Sequence, residues 1–403
     1  MEVLLMSFPS NSKQPQILLL AMTFVMAFGF SSWQVMLNNF AIERAAFTGI
    51  EIGILQSIRE IPGFLAFTAI FVLIILREQK FALLSLLLMG VGIAVTGLFP
   101  SATGLYITTV VMSVGFHYFE TINKSLTLQW LDKKDTPQFM GQALSIKSVG
   151  SLSAYGLIWL AMGVFGADYW LMYLFCGLTV VGVTLILFLK NKDFGHKDTQ
   201  RKRLILRRRY GLYYALVFLS GARRQIFVVF AGFMMVEKFG YSVADISQLF
   251  ILNYAFNFFF AKKIGKLIGV IGERNALIIE YVGLICVFGG YALVENSNIA
   301  AGLYVIDHLF FAFAIAVTTY FQKIADHDDI ASTASVSFTI NHIAAVVIPA
   351  LLGIVWIYSH SAVFIVGIGF AAASLTLSFF IPRHPERNNE ASSFVGQLLQ
   401  SSK

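Results

Sequence analysis

The sequence predicts an all-α membrane protein with twelve transmembrane helices in two pseudo-symmetric six-helix bundles. Of its 403 residues, 57% are hydrophobic and only 13% are charged, whereas a soluble domain carries about 25% charged residues. Lipid must therefore cover most of the surface. The net charge of +7 does not indicate nucleic-acid binding, because most charges fall in short loops between apolar segments. We expect the lipid bilayer, and no nucleic acid, as a partner.

Twelve apolar segments are long enough to cross a bilayer, for which a helix needs about 20 residues. We name them span 1 to span 12, and they cover residues 17–38, 52–76, 81–99, 104–128, 139–164, 168–189, 211–236, 246–268, 276–294, 299–324, 332–357 and 361–381. Their continuous apolar runs favour helices over a β-barrel, in which polar and apolar residues alternate in segments of about ten.

Lysine and arginine are distributed unequally among the connections. If both termini are cytoplasmic, 22 of these residues lie in cytoplasmic segments and two, Arg44 and Lys238, lie on the opposite side. Because Lys and Arg accumulate in cytoplasmic loops, the sequence predicts an integral multi-pass protein of the inner or plasma membrane with both termini in the cytoplasm.

One long polar connection divides the spans into six and six. The predicted organisation is an N-terminal six-helix bundle at 1–189, a basic cytoplasmic linker at 190–210, a C-terminal six-helix bundle at 211–382 and a loose cytoplasmic tail at 383–403. The two cysteines, Cys176 and Cys286, both fall inside apolar runs. They are expected to be buried thiols without a disulfide or a metal.

The two halves contain similar segments at an offset close to 195 residues. Thr48–Leu55, which opens span 2, parallels Ser242–Leu249, which opens span 8. Arg77–Lys80 parallels Gly272–Asn275, and each leads into the third span of its half. Repeated halves that enclose a site at the bilayer midplane are typical of secondary transporters.

The chain resembles the major facilitator superfamily over essentially its whole length. The loop motif of that family, Gly-x-x-x-Asp-Arg-x-Gly-Arg-Arg, is partly retained at Gly265–Arg274, which keeps both glycines and the last arginine but lacks the Asp-Arg pair. The first copy is reduced to Leu76–Lys80, without a glycine. The resemblance implies a functional monomer that moves a small-molecule substrate, with helices 1, 4, 7 and 10 lining the cavity. It implies neither an enzyme nor a cofactor.

Charged residues inside membrane spans are costly, so they are candidates for functional sites. Removing the loop residues leaves five cations as candidate substrate-binding residues: Arg59, Lys124, Lys147, Arg223 and Arg224. The candidate proton-coupling residues are Glu60, His117, Glu120, Asp307 and His308. Five cations against three acids in the middle of the spans favour an anionic substrate. Glu280 is expected near the cytoplasmic end of span 9.

Spacing limits which of these side chains can act together. His117, Glu120 and Lys124 share one helical face, where Glu120 either pairs with Lys124 or protonates and releases Lys124 to bind substrate. Adjacent residues point about 100° apart on a helix. We therefore expect one of Arg223 and Arg224 to face the cavity and the other to pair within its own half.

The same spacing argument predicts that Arg59 and Glu60 face different ways. Pro62-Gly63 follows this pair and favours a kink or local unwinding of span 2. Lys147 in span 5 can form a structural ion pair or contact the substrate.

These features favour a proton-coupled transporter of a small organic or phosphorylated anion that works by alternating access. An efflux pump for amphipathic compounds is the alternative within the same fold. A membrane enzyme is disfavoured because no HExxH or GxSxG motif occurs, and a non-transporting sensor because no signalling domain is evident. The absence of GxxxxGK[ST] argues against ATP as the energy source. The substrate, the direction of transport, and the choice between H⁺ and Na⁺ stay open.

Overall fold

A computed structural model describes residues 13–131, 136–191, 194, 206–326 and 330–392. Each of the twelve predicted spans is helical within this part of the chain, and no β-strand is formed among the described residues. The all-α membrane fold predicted from the composition is therefore confirmed. Lys133 and Lys134, most of the linker, and residues 393–403 lie outside the described residues.

The helices of the first half follow the predicted order. Spans 1, 3, 4 and 6 are the helices Lys13–Ala45, Glu78–Thr96, Ala102–Trp130 and Tyr169–Lys190. Span 2 consists of the helix Gly49–Phe64, a 3₁₀ turn at Leu65–Thr68 and the short helix Ala69–Leu73. Span 5 is the helix Thr136–Ile158, which ends in a π-helical turn at Trp159–Val164.

The helices of the second half contain two further irregular turns. Spans 8, 9, 11 and 12 are the helices Val243–Ile271, Glu273–Leu293, Ile330–Tyr358 and His360–Ser378. Span 7 is the helix Gly211–Gln225, a π-helical turn at Ile226–Ala231 and the helix Gly232–Glu237. Span 10 is the helix Ser297–Phe311, a 3₁₀ turn at Ala312–Ala314 and the helix Ile315–Ile324.

Nine helices in the described part of the chain are long and apolar enough to cross a membrane, and they match spans 1, 3, 5, 6, 7, 9, 10, 11 and 12. Spans 2, 4 and 8 are helical as well. The total of twelve membrane crossings stays a prediction. The expected break in span 2 is confirmed, because the helix containing Pro62 gives way to a 3₁₀ turn three residues after the proline.

The chain forms two compact units. Unit 1 comprises 1–46, 58–200 and 242–248, and unit 2 comprises 47–57, 201–241 and 249–403. In unit 1, the main helix pairs are spans 3 and 4, spans 3 and 6, and spans 1 and 5. Spans 1 and 5 also share a hydrogen bond of 2.8 Å between the buried hydroxyls of Ser31 and Ser151.

In unit 2, spans 9 and 12 and spans 7 and 11 form the main pairs. The start of span 2 also packs against the end of span 11. A Cβ at Gly53 would lie 2.4 Å from the carbonyl oxygen of Pro349, so only glycine allows this approach. One turn along span 2, the Ser57 hydroxyl accepts a hydrogen bond of 3.0 Å from the backbone N–H of Ala350.

Two equivalent helix starts agree with the predicted internal repeat. The Thr48 backbone N–H donates to the Glu51 carboxylate over 2.9 Å at the start of span 2. The Ser242 N–H donates to Asp245 over the same distance at the start of span 8. Each hydroxyl also hydrogen-bonds the same carboxylate. Both pairs are capping boxes, in which the first residue and the acid three positions later satisfy free backbone donors.

Two expectations from the sequence are wrong. Cys176 is buried, but Cys286 is exposed, because an outward position on a membrane helix favours apolar residues as strongly as the interior does. The tail is not loose over its first ten residues. The Ser392 N–H donates to the Phe380 carbonyl over 2.8 Å, and Arg387 pairs with Asp326.

Candidate functional site

The ten predicted site residues are distributed over both units, and every one is described by the structure. Arg59, Glu60, His117, Glu120, Lys124 and Lys147 belong to unit 1, whereas Arg223, Arg224, Asp307 and His308 belong to unit 2. Their partners within each unit divide them into structural ion pairs and side chains that are available to a ligand.

Arg59 and Glu60 form an ion pair of 2.5 Å although they are adjacent in sequence. The prediction that they face different ways is therefore wrong, because the long arginine side chain folds back to the neighbouring carboxylate. Both side chains are buried. Arg59 also lies 6.0 Å from the centre of the Phe30 ring, and its carbonyl accepts a hydrogen bond from Ser113. The pair is neutral as a unit and is anchored to spans 1 and 4.

His117 lies next to this pair on span 4. It is 5% exposed, and one of its ring nitrogens is within 4.8 Å of a Glu60 carboxylate oxygen. Its ring also packs edge-on against Phe116 at 5.0 Å. An imidazole at this distance from a carboxylate can exchange a proton with it through a small shift of either side chain.

Glu120 pairs with Lys147 of span 5, with 3.7 Å between carboxylate oxygen and ammonium nitrogen. The predicted pair with Lys124 on the same helix is not the one formed. Both members of the observed pair are partly exposed, at 33% for Glu120 and 43% for Lys147. Interhelical pairing could not be read from the sequence, because it depends on how spans 4 and 5 face each other.

Lys124 is exposed and makes no ion pair within the described residues. It lies one turn beyond Glu120 on the same face of span 4. A lysine without a counter-ion in a membrane span must reach water or an anion. Among the unit 1 cations, Lys124 is therefore the one most available to bind a ligand.

Arg223 of span 7 pairs with Glu280 of span 9 at 3.3 Å, and both side chains are almost fully buried. The guanidinium also lies 4.5 Å from the centre of the Tyr281 ring, a favourable cation–π distance. Arg223 is thus the arginine that pairs within its own half. Glu280 was missed as a site residue, because only packing of spans 7 and 9 reveals that it points inward.

Asp307 of span 10 is 1% exposed and interacts electrostatically with both Arg223 and Glu280. One oxygen of Asp307 and one of Glu280 are buried without a hydrogen-bond partner within the described residues. This cluster, which we call the Arg223–Glu280–Asp307 triad, contains two acids and one cation. Burying an unbalanced charge is expensive, so the triad is electrically neutral when one acid holds a proton.

His308 follows Asp307 but faces a different environment. Its Nδ1 lies 3.1 Å from the Asn253 side-chain nitrogen and 3.3 Å from the Tyr304 carbonyl oxygen. The ring packs edge-on against Phe227 at 5.3 Å. These contacts are those of a hydrogen-bonded packing residue and link spans 7, 8 and 10.

Arg224 is only half-buried, and it donates a hydrogen bond of 3.0 Å to the side-chain oxygen of Asn341 in span 11. The π-helical turn of span 7 begins two residues later, and such turns are frequent at functional sites. The planar guanidinium is the group that bonds carboxylate or phosphate oxygens in a bidentate manner.

Comparison with known proteins identifies the family. The Major Facilitator Superfamily model matches residues 17–349. Among solved structures, a variant of the nucleoside transporter NupG aligns with a TM-score of 0.76 at 15% identity, covering 91% of this chain and 99% of that one. A bacterial homologue of the human lysosomal transporter Spinster, inward-facing and unoccupied, aligns with a TM-score of 0.70 at 15% identity over 95% and 99% of the two chains.

A POT family transporter in complex with 5-aminolevulinic acid is also similar, with a TM-score of 0.71 at 13% identity over 90% of this chain and 94% of that one. No curated protein sequence matches this chain. At these identities the solved structures share the fold alone, whereas the family model covers most of the sequence. The chain is a multi-pass membrane protein and belongs to the Major Facilitator Superfamily.

Proposed function

We propose that this member of a secondary-transporter family moves a small organic or phosphorylated anion together with a proton, by alternating access. The observation that carries the proposal is the pairing of the in-membrane cations. Arg59, Lys147 and Arg223 each have a carboxylate partner within their own unit. Lys124 is exposed and has none among the described residues, so it is the cation of unit 1 that we assign to an anionic ligand. In unit 2 we assign Arg224, which is half-buried beside the Asn341 amide, because a guanidinium recognises carboxylate and phosphate.

Lys124 and Arg224 have complementary roles in this mechanism. The ammonium of Lys124 is a compact charge that tolerates many anion shapes, whereas the planar guanidinium of Arg224 selects carboxylate or phosphate oxygens. A bound anion would neutralise the charge of Lys124, which otherwise has to reach water.

The coupling proton is held by the Arg223–Glu280–Asp307 triad in this proposal. With one acid protonated the triad is neutral, and loss of that proton leaves a net negative charge in a buried position. Deprotonation therefore favours a conformation in which water reaches the triad. Glu120 is the second candidate for the proton, because protonation of Glu120 would free Lys147 as an additional cation.

We propose that both termini lie in the cytoplasm, that the protein resides in the inner or plasma membrane, and that it works as a monomer. The excess of Lys and Arg in the connections on one side supports the orientation.

Efflux of amphipathic compounds is a second candidate function. It is favoured by the same pairing, because three of the five in-membrane cations are neutralised and need no anionic substrate. The two functions differ in what they require of Lys124 and Arg224. An anion transporter loses its ligand when either cation is removed, whereas an efflux pump for lipophilic cations does not.

The test is the melting temperature of the purified full-length protein with a panel of carboxylates, organophosphates, amino acids and lipophilic cations at two pH values. Stabilisation by one anion class, lost in Lys124→Ala and in Arg224→Ala and partly retained in Lys124→Arg, would support the proposal. Lys80→Ala, which removes an exposed cation at the start of span 3, is the matched control. Stabilisation by lipophilic cations alone would overturn it in favour of efflux.

A further inference from the structure

A second cluster of interacting side chains lies at the end of unit 2 where span 7 ends and span 12 begins. We call it the Trp356 clasp and define it as Gly49, Glu237, Trp356 and His360. One carboxylate oxygen of Glu237 accepts a hydrogen bond of 2.8 Å from the indole N–H of Trp356. The same oxygen lies 3.4 Å from Nε2 of His360. A single carboxylate therefore connects spans 7, 11 and 12.

The indole of Trp356 is fixed from several directions. It is 1% exposed, and the imidazole of His360 stacks on it with ring centres 4.3 Å apart and an angle of 25°. On span 7, Phe230 stacks on it at 5.2 Å and Phe233 packs edge-on at 6.0 Å. Phe230 belongs to the π-helical turn that follows Arg224.

The indole also supports the start of span 2. A Cβ placed on Gly49 would lie 2.3 Å from Cδ1 of Trp356, so the backbone of span 2 rests directly on the ring. Gly53 and Ser57 continue this contact along Pro349, Ala350 and Gly353 of span 11. Displacement of the indole would therefore disturb its contact with the backbone at Gly49.

The charged groups near the clasp, other than His360, are held by residues outside it. Lys238, which follows span 7, donates to the Val294 carbonyl and to Glu295 over 2.8 and 2.9 Å. On span 2, the Glu51 carboxylate is held by Thr48. His360, whose side chain is 39% exposed, therefore has Glu237 as the acid that faces it. Histidine is the side chain that ordinarily changes charge between about pH 5 and 8.

We propose that Glu237 and His360 are positioning residues that hold Trp356 against span 2 in a proton-dependent manner. A protonated His360 forms an ion pair with Glu237 and places a cation over the indole face, where cation–π attraction adds to the contact. A neutral His360 retains only a hydrogen bond and stacking. Docking of span 2 on span 11 therefore takes up a proton and is favoured at lower pH. The consequence for transport rests on the proposed alternating access, in which this contact opens and closes.

The experiment measures the docking of span 2 in the full-length protein by electron paramagnetic resonance of frozen samples. Spin labels are attached at Ile54→Cys and Ile354→Cys, which flank the Gly53–Gly353 contact and are not members of the clasp, after Cys176→Ala and Cys286→Ala. The readout is the fraction of label pairs with strong dipolar coupling at pH 8 and at pH 5.5. It does not depend on thiol reactivity at the measuring pH.

The proposal predicts a coupled fraction that rises several-fold from pH 8 to pH 5.5 in the otherwise unchanged protein. His360→Gln should abolish the pH response, and Glu237→Gln should reduce the coupled fraction at pH 5.5 to the pH 8 value or below. His384→Gln, in the tail, should leave the response unchanged. A pH response that persists in His360→Gln, or its absence in the parent, would overturn the proposal.

Failure of this inference is separable from failure of the proposed function. If an anion stabilises the protein but the coupled fraction does not change with pH, only the proposed proton dependence of the clasp is refuted. If the coupled fraction responds to pH as predicted but no anion stabilises the protein, only the anion-transport proposal is refuted.

Discussion

At the scale of single residues, the side chains that matter are distinguished by their partners and not by their charge. Arg223 and Arg224 are adjacent and chemically identical, yet one is buried against Glu280 and the other is half-buried against an amide. The sequence predicted that one of the two would pair within its own half, because neighbouring positions on a helix diverge by about 100°; that the other faces the cavity stays a prediction. It did not indicate which arginine would pair, since Glu280 lies 57 positions away.

The first prediction concerns the buried pair. Arg223→Ala leaves Glu280 buried without its counter-charge, which typically costs about 3–5 kcal/mol. We expect a large loss of thermal stability in detergent, measured as the melting temperature. Replacing both partners, in Arg223→Leu with Glu280→Leu, should restore much of it. A double variant as unstable as the single one would mean that the pair is not the source of the loss.

The second prediction concerns the proton. Asp307→Asn keeps the shape of the side chain and imitates its protonated form, so the triad stays neutral with Glu280 ionised. We expect the protein to remain folded and to bind the stabilising anion at both pH values, with proton-coupled flux lost. The measurement compares anion-induced stabilisation with flux in proteoliposomes. Glu120→Gln is the comparison variant. Unchanged flux in Asp307→Asn would mean that Glu120, and not Asp307, carries the coupling proton.

At the scale of elements, the most informative contact is the one between the start of span 2 and the end of span 11. Its close approach depends on Gly53, since any Cβ there meets the Pro349 carbonyl. The sequence predicted the break of span 2 at Pro62-Gly63 from local chemistry alone. It did not predict the π-helical turns of spans 5 and 7, because their residues are apolar and have no distinguishing local signal.

The third prediction tests this contact. Gly53→Ala should separate the two helices and lower the melting temperature, because the added methyl group overlaps a backbone oxygen that cannot move freely. Gly182→Ala on span 6 is the matched control, since no atom lies within 4 Å of a Cβ at that position. Equal effects of the two substitutions would mean that the helix pair tolerates the extra volume.

The fourth prediction concerns the capping box of span 2. Partial burial acts to raise the pKa of Glu51, but hydrogen bonds from the hydroxyl and amide of Thr48 outweigh it, so the pKa is lowered. A lowered pKa stabilises the fold above the ordinary value of about 4.3, and this stabilisation is lost as the pH falls through the lowered value.

Thr48→Ala should therefore cost about 1 kcal/mol at pH 7, a typical value for an N-cap, and less below pH 4. Ser242→Ala tests the equivalent cap of span 8. Chemical denaturation at several pH values measures both. An effect of Thr48→Ala that is constant down to pH 3 would show that the Glu51 carboxylate takes no part.

At the scale of the whole molecule, the composition and the repeat predicted the fold, and the family model agrees over residues 17–349. Both signals are spread along the chain and survive the loss of individual motifs, such as the missing glycine at Leu76–Lys80. The site was predicted less completely. Charged and histidine residues in the spans identified ten candidates. Which of them pair depends on how each helix is rotated about its axis. The sequence does not show this rotation, because a span that faces lipid is apolar on all sides and has no periodic pattern.

The central claim is the coupling of anion and proton movement, and the direct measurement is proton flux in proteoliposomes that contain the purified protein and an internal pH-sensitive dye. An anion that raises the melting temperature is added outside at equal pH on both sides. Coupled movement of the two ions predicts an internal pH change that requires the anion and is abolished by Lys124→Ala, Arg224→Ala and Asp307→Asn. A pH change driven only by lipophilic cations, and unaffected by Lys124→Ala and Arg224→Ala, would contradict it.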